Sequence, residues 1–115
     1  MIQPTISEKD LCEFFGVEPR RADLDVPWPY NELTFETDVG DYAVRATVLP
    51  ASGDFALSIA REDSELYSLN VRQANDFLRF TDGAKNTLQI VASDDHKIWL
   101  RLSPALYVGQ SAGEA

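Results

Sequence analysis

Few residues in this chain can do chemistry near neutral pH. His96 is the only histidine and Cys12 the only cysteine among 115 residues. Nucleophile–histidine–acid catalysis needs a base within hydrogen-bond reach of a serine or cysteine. His96 stands in an Asp94-Asp95-His96-Lys97 turn, where a solvated imidazole is expected. Cys12 falls mid-helix beside an apolar stripe with no base nearby, which predicts a small buried hydrophobe and not a reactive thiol. One histidine and one cysteine do not make a zinc site. Carboxylates are the remaining resource. In a meander, the turns holding Asp38 and Asp41, Glu62 and Asp63, and Asp82 share one end of the sheet, where a hard cation such as calcium would bind through oxygen. Against this, aspartate favours turns for its own backbone hydrogen bonds, and no Asp-x-Asp-x-Asp-Gly loop is present. Glu32 and Glu36 alternate along a strand without a cleft to serve glycoside chemistry. The glycine-rich phosphate and dinucleotide loops are absent. These observations predict a protein that is not an enzyme, with no catalytic residue, cofactor or metal.

Charge points elsewhere. Ten basic and nineteen acidic residues give −9. Phosphate-rich partners and anionic membranes are disfavoured, because both are held by Lys and Arg. A basic protein partner is favoured by steering. The acidity is uneven: residues 1–41 hold ten acids and three bases, a balance of −7. Asp23, Asp25 and Glu32 lie in this stretch beside the run Pro27-Trp28-Pro29-Tyr30. Large aromatics anchor protein interfaces as readily as they close cores. Trp99 falls opposite Ile98, Leu100 and Leu102 on its strand, so it lies outside the core or under a helix. The candidate protein-binding set is therefore Asp23, Asp25, Trp28, Tyr30, Glu32 and Trp99. Immunity proteins, antitoxins and phage-encoded inhibitors share this size and charge, an analogy of physical type only. The alternative is a small-ligand carrier with a β cavity lined by Phe35, Tyr42, Phe55 and Tyr67.

These residues must be placed by one domain spanning residues 1–115, long enough to bury a core without disulfides or metal. The lone cysteine, with no basic-then-apolar leader and no run of about 20 apolar residues, predicts a cytoplasmic chain. Residues 1–5 carry no pattern and are expected to fray. Ser7 caps a short helix over 7–16, with Asp10 completing a capping box, Ile6 and Leu11 at staple spacing, and Gly16 at the C-cap. Leu11, Phe14 and Phe15 form its apolar stripe. Residues 17–30 read as a stiff extended connector, since each proline pushes its predecessor toward extended geometry. From 31 to 108 the apolar period is two. About seven strands follow at roughly ten-residue spacing, the rhythm of an all-β sandwich or curled barrel-like sheet. The fold class is mainly β, α+β by strict count: an antiparallel meander with one N-terminal helix that plugs an open end or covers an edge. Residues 109–115 read as a flexible tail, and the open edges would permit a homodimer through an edge strand.

Overall fold

The computed structural model describes residues 4–103 and 105–111. Helix α1 runs Glu8–Phe15. The Ser7 side chain accepts from the Asp10 backbone N–H at 3.1 Å, and Asp10 accepts from the Ser7 N–H at 3.1 Å. Gly16, at φ 72, ends the helix by donating to the Cys12 carbonyl at 2.8 Å. Nine strands follow: β1 (Arg20–Arg21), β2 (Leu33–Val39), β3 (Tyr42–Leu49), β4 (Asp54–Arg61), β5 (Ser64–Val71), β6 (Asp76–Asp82), β7 (Lys85–Ser93), β8 (His96–Ser103) and β9 (Tyr107–Ser111).

Every pairing is antiparallel, in two sheets ordered β1-β2-β3-β4-β5 and β6-β7-β8-β9. The fold is a sandwich, not a closed barrel. The loop 72–75 carries the chain from one sheet to the other. Ala74 N–H donates to Gly53 at 2.8 Å and Asn75 N–H to Val91 at 2.7 Å, so this loop is bonded to both layers. The β4–β5 turn has Glu62 and Asp63 both at positive φ (52 and 65), the geometry of a two-residue hairpin turn that usually employs Asn or Gly.

Alternation along each strand sends one face inward. Phe35, Val44, Ala46, Leu57, Leu88, Ile90, Ile98 and Leu100 are all buried in one core cluster. Phe55 of the first sheet meets Phe77 of the second at 6.4 Å between ring centroids. The helix closes one flank, where it contacts β2 and β7. Phe15 stacks on Phe35 at 4.6 Å, and Arg79 on β6 donates to Glu13 at 2.7 Å. The expected role of the helix as a cover is therefore observed, at a flank between the layers.

Several expectations are corrected. The connector is not extended throughout. Arg20 and Arg21 pair with Thr34 and Leu33 as β1, and Trp28–Tyr30 form a 3-10 turn. Pro29 fits inside that turn because its missing N–H is not required, while Tyr30 donates to Pro27 at 3.0 Å and Asn31 to Trp28 at 3.2 Å. Thr5 is not frayed: its backbone N–H and hydroxyl donate to Asp76 at 2.7 and 2.5 Å. The last strand reaches Ser111, so residues 109–111 are not tail. Residues 1–3, Pro104 and 112–115 lie outside the described residues.

Candidate functional site

The acidic stretch is organised around one buried polar side chain. Asn31 is 2% exposed. Its amide donates to the carbonyls of Asp23 (2.6 Å) and Val26 (3.1 Å), and its oxygen accepts from the Asp23 N–H (3.3 Å). Ala22 N–H donates to the Glu32 carbonyl at 3.0 Å, which closes the base of the loop. Within it, the Asp25 N–H donates to the Asp23 carboxylate at 2.9 Å. Asp23, Leu24 and Asp25 therefore project from a pinned loop, and Leu24 at its tip is 85% exposed. The sequence reading missed Leu24 and Asn31. Leu24 lies between two acids with no periodicity, and Asn31 looks like any strand-entry polar residue.

Ion pairing decides which carboxylates of the acidic third remain available. Arg21 pairs with Glu8, and Arg79 lies 3.4 Å from Asp10 and 2.7 Å from Glu13. Glu36 is shared by Arg20 (3.2 Å) and Arg45 (4.0 Å), and Asp41 lies 3.8 Å from Arg61. Asp23, Asp25 and Glu32 form no ion pair among the described residues. Glu18 and Asp38 are likewise without an ion pair among the described residues, so three of the five uncompensated carboxylates of residues 1–41 belong to the loop and its base. Pro29 and Tyr30 line a groove of about 890 Å³ together with Asp54, Arg72 and Asn75. Tyr30 is 58% exposed. Trp28 is half-buried and packs against the core, where it anchors the 3-10 turn.

The structure thus brings Asp23, Asp25, Tyr30 and Glu32 to one region and leaves Trp99 apart. Trp99 lies on the outer face of the second sheet, half-buried, with its indole N–H donating to Gln89 at 2.8 Å. The helix does not cover it.

The other chemical candidates resolve as follows. His96 is half-buried, not fully solvated, with Nε2 3.1 Å from the Gln110 side-chain oxygen. Burial, then the nearby Glu18 and Glu13, push the Cys12 thiol up from its usual pKa, so the thiolate is scarce. The turn carboxylates do not converge: among the described residues no three His, Cys, Asp or Glu are grouped to hold a metal ion. The crossing at 72–75 explains this in part, because it moves Asp82 to the other sheet. Phe35 and Phe55 are packed against Phe15 and Phe77, while Tyr42 and Tyr67 sit half-buried at the core margin, so the four do not line a shared cavity. Among the described residues no helix is long and apolar enough to cross a membrane.

Comparison with known proteins adds the architecture's kin. No family model matches the chain, and no curated protein matches its sequence. A solved structure does share the fold. It is described as a contact-dependent growth inhibition toxin – immunity protein complex from Klebsiella pneumoniae 342, with a TM-score of 0.76 over 96% of each chain at 15% identity. At that identity the likeness is one of fold.

Proposed function

We propose that this chain is a non-enzymatic inhibitor of the immunity-protein type, acting in the cytoplasm by binding a basic protein through the loop Asp23-Leu24-Asp25, with Glu32 and Tyr30 alongside. The observation that carries the reading is the pinned loop: an exposed leucine flanked by carboxylates without ion partners, held by a buried asparagine. A preordered loop loses little conformational entropy on docking. Its charge steers a cationic surface, and its leucine supplies an apolar contact. The fold shared with a toxin–immunity complex supports the same class. Between a toxin and its inhibitor, a chain of charge −9 whose single histidine lies against the Gln110 side chain suits the inhibitor.

The test is affinity capture from native lysate at low and high salt, with Asp23→Lys/Asp25→Lys alongside, followed by calorimetric titration of whatever is retained. The expected result is one basic protein, held at low salt, whose affinity falls at least about tenfold in the double variant. Retention that is equal in both chains, or nothing enriched over the variant, would overturn the assignment of this loop.

A further inference from the structure

The outer face of the second sheet differs from the acidic surface elsewhere. The strand registers align its outward residues in cross-strand rows. Phe80, Thr87, Arg101 and Tyr107 form one row, and Leu78, Gln89, Trp99 and Gly109 the next. Phe80 and Tyr107 are 49% and 47% exposed. The Arg101 guanidinium lies 5.0 Å from the Tyr107 ring centroid, and its Nε donates to Thr87 at 2.9 Å. A Cβ on Gly109 would collide with the Tyr107 ring, which therefore lies over β9. These contacts fix the side chains before anything docks.

Strands β7, β8 and β9 carry no carboxylate, in a chain with nineteen acids, and β6 carries one at each end. Asp76 is taken by Thr5 and by the Phe77 N–H at 2.8 Å, and Asp82 sits across from Lys85 at the hairpin end. Lys97 and Arg101 form no ion pair among the described residues. Two copies of charge −9 repel wherever carboxylates meet, so this is the face on which they can approach. Three of the four sheet edges are less suited to pairing: β1 has two residues, β5 is bulged opposite Ile59/Ala60, and the Ile6 N–H occupies the Phe77 carbonyl of β6 at 3.2 Å.

We infer that two copies of the chain associate through this face, about an axis running parallel to the strands between β7 and β8. Rotation about that axis exchanges β6 with β9 and β7 with β8. Phe80 of each copy then faces Tyr107 of the other, Trp99 faces Gln89, Arg101 faces Thr87 and Lys97 faces Val91. Within these rows no like charges are directly opposed, while the Asp94-Asp95 turns of the two copies meet at one end of the axis. Rotation about the perpendicular in-plane axis would set Arg101 against Lys97. Face-to-face packing of twisted sheets with strands nearly aligned is a common arrangement. Four strands about 4.8 Å apart present a patch roughly 20 Å on a side. That area belongs to weak, reversible interfaces of under about 1,200 Å² in total.

Sedimentation velocity from about 5 to about 500 µM, at low and moderate salt, tests this. The weight-average mass should rise from 12.8 kDa toward twice that value. Added salt should strengthen the association, because it screens repulsion between like-charged copies. That sign is opposite to the one expected for a basic partner at the Asp23 loop, so the two readings fail separately. Phe80→Glu and Tyr107→Glu, both at exposed positions, should each remain monomeric at the highest concentration, whereas Leu24→Ser should still dimerise. A wild-type chain that stays monomeric throughout overturns the proposal and leaves the face to a different protein. Dimers that persist in both Glu variants overturn it in favour of a sheet edge.

Discussion

Replacing Asn31 with alanine isolates the element on which the loop depends. The Asn31 side chain makes three hydrogen bonds, at 2.6, 3.1 and 3.3 Å, all to backbone groups of Asp23 and Val26. An intramolecular hydrogen bond contributes about 1 kcal/mol net, and a buried backbone group left without a partner costs about 1–3 kcal/mol. Asp23 and Asp25 are exposed, so water can re-solvate part of the loop. A loss of about 2–3 kcal/mol is therefore expected for Asn31→Ala. With a urea dependence of about 1.5 kcal/mol per molar, the denaturation midpoint should fall by roughly 1.3–2 M. Glu32→Gln, an exposed neighbour, should change stability by less than about 0.5 kcal/mol. Urea titration followed by circular dichroism gives both numbers. Amide exchange at Asp23 should quicken in Asn31→Ala while the β3 and β4 amides stay protected. A midpoint shift below about 0.3 M, with Asp23 still protected, would show that the loop is held by something other than Asn31.

Three further outcomes are expected. The Asp10 carboxyl is held below its usual pKa chiefly by the Ser7 backbone N–H, with the Ser7 hydroxyl and Arg79 adding to the effect against the opposing influence of burial. A depressed folded pKa contributes stability above the unfolded value, lost as pH falls through the folded one, so Asp10→Asn should be less stable at pH 7 and should flatten the stability profile below about pH 4, as read by thermal melts across pH. Cys12 should react with a disulfide reagent at pH 8 more slowly than free cysteine, and Glu18→Gln should speed it by removing one of the charges that raise its pKa. Gly53 combines φ +77 with a would-be Cβ 2.7 Å from the Ala74 nitrogen, so Gly53→Ala should cost about 3 kcal/mol by urea titration. A near-neutral Gly53→Ala would mean that the turn against loop 72–75 adjusts freely.

Wherever local chemistry was sufficient, the sequence by itself determined the structure. Ser7, Asp10 and Gly16 mark the helix because caps act within a few residues of the backbone groups they satisfy. The period-two runs from Leu33 to Leu102 name the buried side chains, because strand side chains alternate whatever the sheet's partner. Tertiary structure decided what depends on neighbours far along the chain. Nothing in Arg72-Gln73-Ala74-Asn75 announces that the meander breaks into two sheets there; that follows from both sheets burying an apolar face against each other. Pro27-Trp28-Pro29-Tyr30 reads as extended locally, yet it turns because Trp28 packs on the core and the Pro29 carbonyl accepts from the Ala51 N–H at 2.7 Å. The acids of residues 1–41 are a simple count in the sequence. Which of them stay uncompensated depends on Arg79 reaching Glu13 across 66 positions and on Arg21 reaching Glu8. The aromatic row Phe80–Arg101–Tyr107 likewise exists only through register, since strand pairing and not chain order places those side chains beside one another.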